Sequence, residues 1–116
     1  MPQENGNKTD VRWAALSNAQ GTGLLVIGQP LVQVSASHYS ADTLYRAMHT
    51  HELERSAEVY LNVDLLQCGL GGASCGPGTM EQYLVIPGEH RFSLLFRPFE
   101  AGDSLTRMGR QWVGAL

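Results

Sequence analysis

The sequence predicts an all-β protein in which antiparallel strands stack in layers, with one short helix, and three observations support this class. Short apolar segments with alternating side chains recur along the chain. Turn residues, chiefly Gly, Pro and Asn, separate these segments. One segment in the middle of the chain has the spacing and the N-terminal cap of a helix. The length of 116 residues is that of one domain with a modest core.

Three strands are predicted in the first third of the chain. Residues 10–17 (DVRWAALS) form a mixed apolar run that ends at the turn NAQG, residues 18–21. Residues 23–28 (GLLVIG) are typical of a short buried strand bounded by glycines. Pro30 lacks the N–H that a sheet ladder needs, so we expect it to separate this strand from the alternating segment 31–37.

One short helix is predicted over residues 40–48 (SADTLYRAM). Ser40 is a suitable N-cap, and Asp42 in the first turn favours the helix dipole. Leu44 and Met48 are expected to share one face of this helix, because side chains four residues apart are neighbours on a helix surface.

The second half of the chain continues the strand pattern. Residues 58–67 alternate, and the segments 83–86 (YLVI) and 90–96 (HRFSLLF) are predicted strands joined by the turn PGEH. Within 58–67, the predicted inward side chains are Val59, Leu61, Val63 and Leu65, and the predicted outward ones are Tyr60, Asn62 and Asp64.

The last stretch of the chain allows two interpretations. Asp103 or Ser104 would cap a short helix, whose apolar positions follow at helical spacing. These positions are Leu105, Met108 and Trp112. A frayed tail is the alternative.

Composition excludes several classes of partner. Hydrophobic residues make up 43% and charged residues 16% of the chain, which is typical of a folded protein. The net charge is −3 without a basic cluster, so we expect no nucleic acid. The longest apolar run, GLLVIG, is far too short for a bilayer, so we expect no membrane. The polar N-terminal segment MPQENGNKTD lacks the apolar region of a secretory signal.

The segment 68–78, CGLGGASCGPG, combines two cysteines, five glycines and a proline. It does not match a dinucleotide-binding fingerprint, since Ser74 stands where the third glycine belongs, and it lacks the lysine of a P-loop. Its cysteines lie seven residues apart, unlike a zinc knuckle or a redox pair, and a disulfide between Cys68 and Cys75 is left open. We interpret the segment as a long loop shaped for close approach; such loops are usually functional.

No self-sufficient active site is predicted elsewhere. His49, His51 and Glu52 offer the start of a metal site, but a solvated segment that ends the helix is the favoured interpretation. The chain has no nucleophile elbow, and Asp64 is a lone acid on a strand rather than one of two paired carboxylates. We therefore predict no catalytic residue and no metal ligand in this chain.

Four segments occur in order along the chain: PQENGNKTDVRWAAL, VSASHYSADTLYRAMHTHEL, VYLNVDLLQCGLGGASCGPG and FSLLFRPF. Together they resemble the C-terminal end of the large, LacZ-type β-galactosidases of glycoside hydrolase family two, over residues 2 to about 99. For residues 1–99 the resemblance implies the last part of a large β-sandwich domain, a partial supersandwich. Residues 100–116 would follow as a tail or short helix.

The resemblance also implies a role for the glycine loop. In the family, a loop at this position reaches the active site, and its tryptophan stacks on the sugar. The sequence of that loop is Gly-Gly-Asp-Asp-Ser-Trp, followed by a small residue and Pro. Here Gly71 and Gly72 match the glycine pair, Ser74 the serine and Pro77 the proline. Cys75 stands in place of the tryptophan, and the loop is one residue shorter. The implied substrate-binding residues are Gly71, Gly72, Ser74 and Cys75, without aromatic stacking.

The expected function follows from the same resemblance. The chain would be a fragment of a retaining β-galactosidase, whose catalytic glutamates and Mg and Na ions belong to other domains. Its expected partners are the remainder of that enzyme, a galactoside and further copies of itself, and the fragment alone is expected to be inactive. The alternative is a stand-alone carbohydrate-binding or assembly module without catalysis. The cellular compartment is left open between the cytoplasm and the periplasm, the two compartments expected for the parent enzyme.

Overall fold

The computed structural model of the chain describes residues 1–69 and 71–113. Its strands are β1 (Lys8–Ser17), β2 (Gly23–Ser37), β3 (Tyr60–Asp64) and β4 (Ser93–Phe99), and its helices are α1 (Ala41–Arg46) and α2 (Leu105–Val113). Two short 3₁₀ turns lie at Thr50–Glu52 and Glu81–Tyr83. The strands form one antiparallel sheet around β2, which pairs with the other three. The predicted all-β class is confirmed, and the sheet is one layer of the predicted partial sandwich.

Strand β2 runs through Pro30 without a break, so the predicted separation into two strands is wrong. On one edge of β2, strand β4 pairs with residues 23–29 and strand β3 with residues 33–37, so Pro30 lies in the gap between these two neighbours. On the other edge, β1 shifts its register over the same stretch. A bulge of this kind tolerates a residue without an N–H. The Gln29–Pro30 peptide bond is cis.

Helix α2 covers one face of the sheet, so the helical alternative for the last stretch is the one that the structure adopts. Met108 of α2 lies in a buried cluster with Leu25, Ile27 and Phe99. Partly buried hydrophobic side chains surround the cluster: Trp13, Ala15, Leu95, Leu105 and Trp112. Residues 114–116 of the predicted tail lie outside the described residues.

The opposite side of the same strands is a second apolar surface, which we term the outer face. Cross-strand register and alternation place these residues on it: Ala14, Leu16, Leu24, Val26, Leu94, Phe96 and Pro98. Val26 at its centre is buried, but Leu24 is 38% exposed and Phe96 is 54% exposed. The outer face is therefore only partly covered by the described residues.

Helix α1 follows the C-terminal end of β2 and is shorter than predicted. Ser40 caps it as expected, since its hydroxyl accepts a hydrogen bond from the Thr43 N–H at 3.0 Å. The predicted pairing of Leu44 with Met48 is wrong, because Leu44 is buried while Met48 lies beyond the helix end and is 58% exposed. The Met48 N–H donates instead to the Glu52 carboxylate at 2.8 Å, which turns the chain away from the helix.

Two predicted strands differ from the structure in the second half. Residues 83–86 do not form a strand, because the Leu84 N–H closes a 3₁₀ turn on Glu81 and the Tyr83 carbonyl accepts from Gly69. Strand β4 starts at Ser93 rather than at residue 90. In the predicted strand 58–67, the ladder covers only Tyr60–Asp64. Of the predicted inward set, Leu61, Val63 and Leu65 are half-buried, whereas Val59 precedes the strand and is exposed.

The molecule is a flat slab. Its extents are 49 × 39 × 17 Å and its radius of gyration is 17.1 Å, against about 13 Å for a compact domain of this length. A single sheet with a helix on one side explains this thickness. In the described part of the chain, no helix has the length and apolar character needed to span a membrane.

Candidate functional site

The glycine-rich segment follows β3 and forms an exposed loop with a fixed base. The Gly69 N–H donates to the Tyr83 carbonyl oxygen at 2.7 Å, and the Gly69 carbonyl accepts from the Thr79 hydroxyl at 3.3 Å. Nearer the tip, the Ala73 N–H donates to the Pro77 carbonyl oxygen at 2.8 Å. The base of the loop is therefore held by residues that follow it in the chain, and its tip by a bond within its own backbone.

The backbone of the loop explains why it is rich in small residues. Gly71, Ala73 and Cys75 have positive φ angles of 87°, 60° and 60°. A non-glycine residue pays roughly 1–2 kcal/mol for this left-handed conformation. Gly72 is required for a different reason, since a Cβ on it would lie 2.3 Å from the Thr79 hydroxyl oxygen. The two glycines therefore set the shape of the loop.

The four predicted substrate-binding residues lie together on this loop, and all four are exposed. Within the described residues, the side chains of Ser74 and Cys75 make no hydrogen bond, so both are available to a ligand. Cys68 and Cys75 are exposed free thiols and do not form the disulfide that the sequence left open. The role of Gly71, Gly72, Ser74 and Cys75 in sugar binding stays a prediction.

The histidine segment, residues 49–52, forms an exposed turn after the end of α1. His49 caps the 3₁₀ turn Thr50–Glu52, and the rings of His49 and His51 stack with centroids 5.5 Å apart. Hydrogen bonds from the Met48 N–H and from the His49 side chain hold the pKa of Glu52 below its ordinary value. Among the described residues, no three His, Cys, Asp or Glu side chains come together as a metal site.

A polar cleft that the sequence analysis missed lies beside the base of the loop. Its volume is about 460 Å³, and it is lined by Glu4, Asn5, Asn7, Ser35, Asn62, Asp64, Gln67 and Cys68. We term this the polar cleft. Cys68 is also the first residue of the glycine loop, so the cleft and the loop are continuous.

Hydrogen bonds between side chains hold the floor of the polar cleft. The Asn7 amide donates to Gln33 at 3.0 Å and to Gln67 at 3.1 Å, and the Gln67 amide donates to Asp64 at 2.8 Å. The Asn62 amide donates to the Ser35 hydroxyl at 3.1 Å. One feature of the sequence pointed to this cleft: Asn62 and Asp64 were predicted to point outward from alternate positions of β3. In the structure these two residues lie opposite Ser35 and Gln33 of β2.

Comparison with known proteins identifies the family. Residues 1–96 match the family model described as beta galactosidase small chain. A beta-galactosidase of Priestia megaterium is 46% identical over 71 residues, which cover 61% of this chain and 7% of that protein. A beta-galactosidase of Arthrobacter sp. is 33% identical over 101 residues, 83% of this chain and 10% of its own length. A beta-galactosidase of Kluyveromyces lactis is 34% identical over 94 residues, 78% of this chain and 9% of its length.

The chain thus spans a tenth or less of the length of these relatives. The family match covers β1 to β3, the glycine loop and the first half of β4, and it ends before α2. The chain therefore belongs to the beta galactosidase small chain family.

Proposed function

We propose that this chain is part of a β-galactosidase that hydrolyses terminal β-galactosides, and that it contributes the glycine loop to the sugar site. The observation that carries the proposal is the family match over residues 1–96 in a chain that spans a tenth or less of its relatives. The nucleophile and the acid/base would come from the remainder of the enzyme.

The carboxyl groups of this chain support that division of roles. A retaining glycosidase needs two facing carboxyl groups, and the pKa of its general acid is raised. Glu52 and Glu58 have pKa values that depart from the ordinary one, and both are lowered, through hydrogen bonds from Met48 and from Ser56. These two groups are stabilised as carboxylates, which is opposite to what a general acid requires.

The outer face supports docking on the remainder of the enzyme. Leu24 and Phe96 are exposed there although they belong to paired strands, and the molecule is a slab only 17 Å thick. Burying one such side chain contributes about 1.5–3 kcal/mol. Helix α2 already covers the opposite face, so the outer face is the side that is left for a second layer.

A chimera tests this proposal. In the Priestia megaterium β-galactosidase, the segment that corresponds to residues 1–96 is replaced by those residues of this chain, and hydrolysis of a chromogenic β-galactoside is measured. We expect the chimera to hydrolyse the substrate, and a second chimera in which residues 71–75 are deleted to lose most of this activity. The proposal is contradicted if the chimera melts cooperatively but does not hydrolyse the substrate, or if the deletion leaves its activity unchanged.

A further inference from the structure

We infer that the polar cleft is a binding subsite for the hydroxyl groups of a neutral sugar, separate from the glycine loop. The inference extends the proposed function and takes from it the carbohydrate class of the ligand. It assigns binding to residues of β3 and of the N-terminal segment, outside the four loop residues. The cleft adjoins the loop through Cys68, so a saccharide with more than one ring would reach both.

The side chains of the cleft are oriented before any ligand arrives. Asn7 uses its amide group on Gln33 and on Gln67, so its carbonyl oxygen is directed away from these partners as an acceptor. Asn62 donates to Ser35 and keeps an acceptor oxygen and a second N–H. Asp64 receives the Gln67 amide on Oδ2, which leaves Oδ1 as an acceptor. This mixture of fixed donors and acceptors suits hydroxyl groups, which both donate and accept.

The charge of the cleft selects against other ligand classes. Glu4 and Asp64 are its charged side chains, and no Lys, Arg or His is among the described residues that line it. Phosphates and carboxylates are therefore repelled. The other polar side chains that line the cleft are neutral amides and a hydroxyl, which suit a neutral polyhydroxylated ligand.

An aromatic wall extends the cleft. A second cavity of about 330 Å³ shares Glu4, Asn5, Ser35 and Asn62 with the first and is lined further on by Tyr39 and Tyr60. Tyr60 is 42% exposed, so its ring has an accessible surface. Sugar rings have apolar C–H surfaces that pack on aromatic faces, while their hydroxyl groups bond to amides and carboxylates. Both kinds of contact are present within one continuous depression.

A titration of the purified chain with methyl β-galactoside tests the inference. Side-chain amide signals of Asn7, Asn62 and Gln67 are visible in proton–nitrogen correlation spectra and report directly on the cleft. We expect saturable shifts of these signals, with a dissociation constant on the order of 1–10 mM, the scale of a few hydrogen bonds. Asn62→Ala should weaken binding at least several-fold, whereas Gln20→Ala, which removes an exposed amide in the turn before β2, should not.

A second variant tests the role of charge. Asp64→Asn keeps an acceptor oxygen for Gln67 but removes a negative charge, so it should improve the binding of galactose 6-phosphate relative to the unchanged chain. Backbone signals in the same spectra report whether each variant is folded. Absence of saturable shifts at the cleft, or shifts that Asn62→Ala leaves unchanged, overturns the inference.

The outcomes for the two proposals are separable. Shifts confined to residues 71–75 refute the cleft subsite and leave the proposed function intact. Shifts at the cleft together with an inactive but folded chimera support the subsite and refute the proposed function.

Discussion

The Gly69 N–H donates a 2.7 Å hydrogen bond to the carbonyl oxygen of Tyr83, and this contact joins the base of the glycine loop to the 3₁₀ turn that precedes residue 84. The contact explains two features at once. It anchors the loop next to the polar cleft, and it uses a backbone group that a strand at residues 83–86 would need for its ladder. The hydrogen bond that fixes the base of the loop is therefore incompatible with a strand at residues 83–86.

The first prediction concerns the glycine loop. Gly72→Ala would place a Cβ 2.3 Å from the Thr79 hydroxyl oxygen and 2.5 Å from the Thr79 nitrogen, so the loop must open. We expect faster hydrogen exchange of the Gly69 amide and a loss of about 1–3 kcal/mol of local stability, as for other overpacked sites. Gly76→Ala is the matched control, because a Cβ there meets nothing within 4 Å. Equal exchange rates in the two variants would refute this account of the loop.

The second prediction concerns helix α2. Met108→Ala removes a buried side chain from the cluster with Leu25, Ile27 and Phe99, and we expect a loss of about 2–5 kcal/mol in the free energy of unfolding. Gln111→Ala, at an exposed position of the same helix, should change stability by less than about 0.5 kcal/mol. Chemical denaturation followed by tryptophan fluorescence measures both. If Met108→Ala is as stable as the control, α2 does not hold the sheet as described.

The third prediction concerns pH. The Glu52 carboxylate accepts the Met48 N–H, and its pKa is lowered in the folded state. The contribution of the Glu52 carboxylate to folding stability is therefore present above the ordinary pKa of 4.5 and is lost as the pH falls through the lower pKa of the folded state. We expect the Met48 amide signal to titrate with a midpoint below 4.5. Glu52→Gln should abolish that titration, and a midpoint above 4.5 would be inconsistent with the geometry.

The fourth prediction concerns self-association. The outer face exposes Phe96 and Leu24, so we expect the isolated chain to form dimers or larger species at micromolar concentration. Phe96→Ser should shift the population towards the monomer, whereas Tyr45→Ser, at an exposed position on α1, should not. Light scattering after size-exclusion chromatography measures the oligomeric state. A monodisperse monomer with a cooperative melt would show that the chain is stable with the outer face exposed to solvent.

Local signals in the sequence predicted the elements that depend on neighbouring residues. The Asn18–Gly21 turn between β1 and β2 and the Ser40 cap of α1 are set within a few residues. Both features follow from side-chain chemistry and spacing alone. For the last stretch, the spacing of Leu105, Met108 and Trp112 allowed a helix or a frayed tail, and packing against the sheet accompanies the helix that the structure adopts.

The errors arose where distant residues decide. Pro30 is tolerated because two different strands pair on either side of it, and no local pattern shows where one neighbour ends. Residues 83–86 are as apolar as a strand, but the backbone of Tyr83 is bound to Gly69 instead. The polar cleft joins Asn7 to Gln33 and Gln67, which come together only once the register of β2 and β3 is fixed.

Hydrolysis of a chromogenic β-galactoside tests the central claim most directly, measured in parallel on the isolated chain and on the Priestia megaterium chimera. We predict no turnover by the isolated chain, because the facing carboxyl pair would come from the remainder of the enzyme, and clear turnover by the chimera. Turnover by the isolated chain that persists after removal of trace host enzyme, or a folded chimera without activity, would contradict it.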